Sequence, residues 1–166
     1  MDRTWTVMAG LVVVVPLAVA VTVGLFVLPL FPSAQATETV AVVRVIDGDT
    51  IIVNRDNNEE RVRILGIDAP EVARDGAPGE ECAAEATALT EELTAGRDVV
   101  TTTDPSQSET DRYGRTLAYV EADGQDVGAE LLTSGLAKVY ESATDIARYA
   151  DYERLGQQAE PPPCMR

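Results

Sequence analysis

Hydrophobic and polar positions divide the chain into one long apolar run and a series of short alternating segments. Residues 7–31 carry no charged side chain and, as a helix, would span about 37 Å, enough for the hydrocarbon core of a bilayer. Ala34-Gln35-Ala36 fits the small-residue rule for signal peptidase. We therefore expect residues 1–36 to be either a signal peptide or a transmembrane anchor, and the sequence leaves both open. Arg3 before the run and acidic sequence after it favour an extracytoplasmic location for the rest.

The remaining chain shows the periods of strands and short helices. The predicted strands cover residues 40–46, 50–53, 60–67, 99–103 and 117–121. The predicted helices cover residues 81–95, 127–133 and 146–155, the last with Asp145 as its N-cap. Strands in this order favour a small barrel with helices packed against it over a parallel βαβ sheet. We assign residues 37–160 to one domain and residues 161–166 to a C-terminal tail.

The charge of the chain argues against a polyanionic partner over most of its surface. The 28 acidic and 13 basic residues give a formal net charge of −15, and Lys138 is the only lysine of the sequence. Phosphate would be repelled by such a surface, so a nucleic-acid site has to be a local patch of arginines. The candidates for this patch are Arg63, Arg74, Arg112 and Arg115.

The absence of histidine narrows the possible chemistry. A chain without histidine cannot use Ser-His-Asp or Cys-His nucleophiles, His-based zinc sites or a His general base. Carboxylates, arginines, tyrosines and a metal remain. Carboxylates can hold an oxygen-liganded cation, and planar guanidinium groups fit a phosphate, so the combination points toward phosphate-ester chemistry.

The two cysteines, Cys82 and Cys164, are candidates for a disulfide. A location outside the cytoplasm would permit the bond, which would tie the C-terminal tail to the body of the domain. The alternative is two unpaired thiols, and the sequence does not decide between them.

Four short motifs carry a family resemblance through their order and spacing. They are residues 45–50 (VIDGDT), 63–71 (RILGIDAPE), 111–115 (DRYGR) and 135–139 (GLAKV). Taken singly, each has an ordinary explanation, such as an Asp-Gly hairpin turn or a solvated strand face. Together, from about Val42 to Tyr152, they resemble the staphylococcal nuclease (thermonuclease, TNase-like) family. The resemblance implies an OB-fold, with a five-stranded β-barrel and three helices, and calcium-dependent cleavage of DNA and RNA to 3′-phosphate ends.

The resemblance also implies roles for individual residues. The implied calcium ligands are Asp49, Asp68 and the backbone oxygen of Ala69, with Asp47 beside the metal. The implied catalytic residues are Arg63 and Arg115, which hold the scissile phosphate, and Glu71, which activates the attacking water. The implied substrate contacts are Arg112 and Tyr113. The family usually has threonine in place of Ala69, but a main-chain ligand does not depend on the side chain. Calcium prefers oxygen ligands, and a cation with two arginines stabilises charge that grows in the transition state.

Three functions are open from the sequence. The first is a monomeric calcium-dependent nuclease acting on extracellular DNA and RNA, anchored through residues 7–31 or secreted after cleavage near Ala36. The second is a catalytically weak OB-fold surface module that binds a nucleic acid or a protein. The third is a surface protein whose acidic face binds calcium structurally. The intact set of carboxylates and arginines favours the enzyme, because a binding module has no need of a general base.

Overall fold

The computed structural model describes residues 35–165. The apolar segment at residues 7–31 lies outside these residues, so the choice between anchor and signal peptide stays a prediction. Within residues 35–165, none of the helices combines the length and the apolar character needed to cross a membrane.

Strands and helices alternate along the described chain in the predicted order, with three very short strands in addition. The strands are β1 (Thr37–Asp47), β2 (Thr50–Arg55), β3 (Asn58–Ile64), β4 (Ile67–Asp68), β5 (Asp98–Thr102), β6 (Thr116–Ala122), β7 (Gln125–Asp126) and β8 (Lys138–Val139). The helices are α1 (Ala83–Thr94), α2 (Val127–Thr133) and α3 (Tyr149–Gln158), followed by a 3-10 turn at Pro163–Met165. The predicted bounds of α2 are confirmed.

The long strands close into a five-stranded barrel. Antiparallel pairing joins them in the order β3-β2-β1-β5-β6, and a parallel pairing of β3 with β6 closes the ring, with Val62 opposite Thr116. Inward-facing aliphatic side chains fill it because strand residues alternate between the two faces: Val62 and Ile64 are fully buried, whereas Arg61, which precedes them, is exposed and Arg63 between them is partly exposed. The predicted OB-type barrel with three helices is confirmed.

The predicted strand at residues 60–67 ends earlier than expected. Its pairing with β2 stops at Arg63 and its pairing with β6 stops at Ile64. Gly66 then has a φ of +85°, a left-handed conformation that turns the chain. Ile67 and Asp68 then form the separate strand β4, which pairs with β8. Because of this turn, Asp68 leaves the barrel sheet and pairs with Lys138 of β8.

The predicted start of the last helix was wrong. Asp145 does not cap it; its side chain accepts a hydrogen bond from Gln107 Nε2, and the helix begins at Tyr149. The preceding backbone is held by tertiary contacts: the N–H of Ala147 donates to Asp104 Oδ2, and the N–H of Arg148 donates to the Tyr119 hydroxyl. These hydrogen bonds favour a turn over an earlier helical start.

The C-terminal tail is joined covalently to the start of α1. A disulfide links Cys82 to Cys164, with their Cα atoms 5.5 Å apart. Cys82 is buried directly before α1, and Cys164 lies within the 3-10 turn. The tail is therefore fixed to the body, and its Met165 lines a surface hollow together with Asp68 and Ala69.

Candidate active site

Two buried aspartates sit in the tight connection between β1 and β2. The side chains of Asp47 and Asp49 are 5% and 2% exposed. The N–H of Asp49 donates to Asp47 Oδ1 (3.3 Å), and the hydroxyl of Thr90 on α1 donates to the carbonyl of Gly48 (2.7 Å). Helix α1 therefore holds this turn against the barrel, with both carboxylates pointing away from bulk solvent.

Arg63 connects the buried carboxylate to an exposed one. From β3 its Nη1 lies 2.9 Å from Asp49 Oδ2, and its Nη2 lies 3.1 Å from Asp68 Oδ1. Asp49 Oδ2 also accepts a hydrogen bond from the N–H of Ala69 (2.7 Å). Two of the residues implied as metal ligands, Asp49 and Asp68, thus meet at one guanidinium group, and the third, Ala69, contacts Asp49.

The acidity of Asp49 is altered mainly by its burial. Burial raises the pKa of Asp49 to about 7, and the neighbouring Asp47 adds to the rise, although Arg63 and the N–H of Ala69 act to lower it. A carboxylate with such a pKa is stabilised by any further cation that comes within reach. Strong perturbation of this kind is typical of functional sites.

Arg115 is oriented by an aspartate in its own turn. Arg115 Nε donates to Asp111 Oδ2 (2.8 Å), while the backbone N–H groups of Tyr113 and Arg115 donate to Asp111 Oδ1 (both 2.9 Å). Because Nε carries this bond, the terminal nitrogens of Arg115 remain for another anion. Arg112 donates to the hydroxyl of the exposed Tyr113 (2.6 Å).

Glu71 lies at the rim of the site with an altered acidity. Burial and then Asp47 raise its pKa above the usual value, and Arg74, Arg63 and Arg115 oppose the rise. Arg74 Nη2 is 3.1 Å from Asp47 Oδ2 and 3.8 Å from Glu71 Oε2. Arg74 therefore faces the carboxylates and does not serve as a free member of an arginine patch.

These side chains enclose one hollow of about 330 Å³. Its polar lining includes Arg63, Asp68, Glu71, Arg112, Tyr113 and Arg115. The implied catalytic residues and substrate contacts therefore converge, together with Asp68, while Asp49 lies beneath the lining, in contact with Arg63. An anion of phosphate size entering this space meets three arginines and the Glu71 carboxylate, which can take a proton.

The ligand set suits an oxygen-preferring cation. Within residues 35–165 no group of three or more Asp, Glu, Cys or His side chains is placed to hold a metal. The implied site needs fewer, because two carboxylates and the main-chain oxygen of Ala69 can be completed by water, as calcium sites often are. Burial raises the pKa of Asp49, and a cation bound beside it would favour the ionised carboxylate.

Sequence reasoning assigned no role to Asp111, although it quoted the motif that contains it. An Asp that begins a four-residue turn ending in Gly114 often accepts hydrogen bonds from the turn's backbone, and this signal was available. The contact of Arg74 with Asp47 had no comparable signal, because it joins residues 27 positions apart through a loop.

Comparison with known proteins places these observations in a family. Residues 61–161 match the family of staphylococcal nuclease homologues. The thermonuclease of Staphylococcus hyicus is 39% identical over 101 residues, which cover 61% of this chain and 59% of the relative. Endonuclease YncB of Bacillus subtilis (strain 168) is 35% identical over 115 residues, 69% of this chain and 54% of the relative.

A further relative is an uncharacterized endonuclease of Escherichia coli O157:H7, 40% identical over 101 residues that make up 60% of each chain. In all three comparisons the matched segment spans less than two thirds of the relative's own length. Arg63, Asp68, Glu71 and Arg115 lie inside the family match, whereas Asp47 and Asp49 precede it. The membership of these two aspartates in the site therefore depends on their contacts with Arg63, Ala69 and Arg74.

Proposed function

Because this chain belongs to the staphylococcal nuclease family, we propose that it is an endonuclease that hydrolyses phosphodiester bonds of DNA and RNA with calcium as its cofactor. The observation that carries the proposal is the meeting of Arg63, Glu71 and Arg115 in one hollow beside Asp49 and Asp68. The names of the thermonuclease and endonuclease relatives support the same reaction class.

The arginines bind and orient the scissile phosphate. Two guanidinium groups facing one hollow can hold the non-bridging oxygens, whose charge grows as the pentacovalent transition state forms. Arg63 is paired with Asp49 and Asp68 in the structure, so a substrate phosphate shares or replaces these partners. Asp111 keeps Arg115 in place by accepting from its Nε.

Glu71 takes a proton from the attacking water. A general base works best when its pKa lies nearer the working pH than that of a free carboxylate, and burial with Asp47 raises the pKa of Glu71. Asp49, Asp68 and the Ala69 carbonyl would hold the calcium ion. Calcium bound there would supply a positive charge that polarises a phosphoryl oxygen.

We further propose that the domain works outside the cytoplasm, anchored or secreted. The Cys82–Cys164 disulfide supports this, since such bonds persist in oxidising compartments. The apolar run at residues 7–31 supports it as well. We expect a monomer, which size-exclusion chromatography with light scattering would test.

Cleavage assays test the reaction and its metal. Purified protein is incubated with single-stranded DNA and with RNA, first with calcium and then with excess chelator. Cleavage in calcium alone, with products carrying 3′-phosphate, is the expected result. Cleavage that persists in chelator would contradict the calcium requirement.

Two variants and a control test the residues. Arg63→Ala and Glu71→Gln should each reduce kcat by about 100-fold or more. Arg61→Ala removes an exposed arginine of the same strand and should retain activity. Binding of DNA without cleavage by the unmodified protein would contradict the enzyme and support the alternative of an OB-fold binding module.

A further inference from the structure

A pair of hydrogen bonds joins Glu71 to Glu80 across the neck of a loop. The N–H of Glu71 donates to Glu80 Oε2 (3.0 Å), and the N–H of Glu80 donates to the carbonyl of Glu71 (2.9 Å). Farther out, Arg74 and Ala77 form a second bridge around the turn. We refer to residues 71–80 as the Glu71 loop. Its position relative to the barrel is set where Glu71 and Glu80 meet.

Little else holds the Glu71 loop. Every residue from Ala73 to Glu80 is exposed, and the side chain of Glu71 is itself 60% exposed. Among the described residues, the ion pair that joins the loop to the barrel is that of Arg74 with Asp47, and Arg74 is half exposed. Segments with few buried apolar contacts open easily. The two hydrogen bonds between Glu71 and Glu80, which form the neck of the loop, therefore have to hold Glu71 in the position that a general base needs.

The neck continues directly into the disulfide. Glu80 is two residues before Cys82, and the N–H of Ala83 donates to the carbonyl of Glu80 (3.3 Å). Cys82 is buried and bonded to Cys164. A covalent link thus ends two residues from the side chain that holds the backbone of Glu71.

The other side of the link is held independently. The tail crosses close to the turn after α2: a Cβ on Gly135 would lie 2.6 Å from the carbonyl oxygen of Glu160. Cys164 follows four residues later. Because the tail is seated against Gly135, the disulfide connects the neck to a fixed point on the body and not to a free end.

We propose that Glu80 is a positioning residue for Glu71, and that the Cys82–Cys164 disulfide holds Glu80 in the geometry this requires. The inference rests on the function proposed above. It makes the C-terminal segment, whose described residues do not line the hollow that holds Arg63, Glu71 and Arg115, a determinant of the catalytic rate.

Substitution of Glu80 is the first test. Glu80→Ala removes the acceptor for the N–H of Glu71 and should lower kcat by about 10-fold or more, with KM changed less than about twofold, because displacement of a catalytic group slows chemistry without removing the phosphate contacts. Glu80→Gln keeps a carbonyl oxygen that can accept this bond and should restore most of the rate. Glu81→Ala removes the neighbouring exposed carboxylate and is the matched control, with kcat unchanged.

Opening the disulfide is the second test. Dithiothreitol breaks the S–S bond, leaves one thiol on each cysteine and is itself oxidised to its cyclic disulfide. We expect a similar fall in kcat that reverses on reoxidation. Cys164→Ala should show the lowered kcat without the reagent and no further response to it. Circular dichroism at the assay temperature checks that each form is folded.

Amide hydrogen exchange provides a readout that does not depend on cleavage. The N–H of Glu71 should exchange faster in Glu80→Ala and in the reduced protein, and at the original rate in Glu80→Gln. If the unmodified protein cleaves no substrate, the proposed function fails while exchange still tests the positioning. If it cleaves and folded Glu80→Ala and Cys164→Ala retain its kcat, the positioning role is wrong and the nuclease proposal stands.

Discussion

Two buried aspartates in this domain have opposite acidities. Asp49 in the candidate site and Asp104 near the start of α3 are 2% and 5% exposed. Burial raises the pKa of Asp49 to about 7. Burial also acts to raise the pKa of Asp104, but hydrogen bonds outweigh it and bring that pKa down to about 2. Burial alone therefore does not determine the acidity of a carboxylate; hydrogen-bond donors and neighbouring charges contribute as well.

The donors around Asp104 make it part of the scaffold. The Tyr119 hydroxyl (2.6 Å), the N–H of Ala147 (2.8 Å) and both the N–H and hydroxyl of Ser106 donate to it. Arg148 stacks over the Tyr119 ring, 4.2 Å from its centroid. The ionised form of Asp104 is therefore satisfied, and it fastens the segment before α3 to the barrel.

Asp49 accepts fewer hydrogen bonds than Asp104, and this difference distinguishes the candidate site from the scaffold. Its donors are the N–H of Ala69, the Thr50 hydroxyl and Arg63, while Asp47 opposes its ionisation. Additional positive charge would stabilise Asp49, whereas Asp104 has nothing to gain from it. Substitutions at the two positions should consequently affect different properties.

Asp49→Asn should give the largest effect, a loss of activity of about 1,000-fold, because a carboxylate that holds the cation and orients Arg63 is replaced by an amide. Stability should be equal or higher above pH 7, since a carboxylate whose folded pKa is raised destabilises the fold once it ionises. Steady-state kinetics and thermal unfolding measure the two. A melting temperature several degrees lower would contradict the contrast with Asp104.

Asp104→Asn should do the reverse. The amide turns a donor toward the N–H of Ala147 or of Ser106, and we expect the free energy of unfolding to fall by about 3 kcal/mol. Urea denaturation measures it. The kcat at a temperature where the variant is folded should stay within about twofold, and a larger loss would mean that the two regions are coupled.

Acid should weaken the Asp104 contacts selectively. The folded pKa of about 2 lies below the ordinary value of 3.8, so the stabilisation is present above pH 4 and is lost as pH falls toward 2. The stability difference between the unmodified protein and Asp104→Asn should shrink by about 2 kcal/mol over that range. Denaturation curves at pH 5, 4, 3 and 2 test this. A difference independent of pH would show that Asp104 contributes through shape alone.

Arg74→Ala should have the smallest effect on stability, below about 1 kcal/mol, because the guanidinium is half exposed. Its charge acts to lower the pKa of Glu71, so its loss should raise that pKa and move the acid limb of the pH–rate profile to higher pH. Arg61→Ala serves as the control for removal of an exposed arginine. A limb that shifts to lower pH would contradict the arrangement.

Local signals in the sequence were sufficient for much of the fold. Helix α2 lies between a capping Asp126 and a terminating Ser134-Gly135, and its predicted bounds were confirmed. The early start predicted for α3 was wrong because Asp104 and Tyr119 bind its leading backbone from more than 25 residues away. The residue pattern of 145–150 does not indicate such distant contacts. The hydrogen bonds to Asp104 and Tyr119 therefore prevailed over the predicted N-cap at Asp145.

The sequence motifs that carry the family resemblance contain Arg63, Asp68, Glu71 and Arg115, and the structure places these four side chains around one hollow. The contacts that support them were not predicted. The ion pair of Arg74 with Asp47 joins an exposed loop to the barrel, and the hydrogen bond of Glu80 with Glu71 lies within that loop. Loop contacts follow from the path of the chain between fixed elements, which the residue pattern alone does not encode.

The parallel pairing of β3 with β6 predicts that the site forms late in folding. Arg63 lies opposite Leu117 on this seam, and Arg115 directly precedes β6. The paired residues Val62 and Thr116 are separated by 54 positions, and closure over such a separation is slow compared with hairpin formation. In an intermediate with only the β1–β2–β3 hairpins formed, Arg63 and Arg115 are still apart. Phosphate binding should therefore appear together with the final native signal in refolding kinetics.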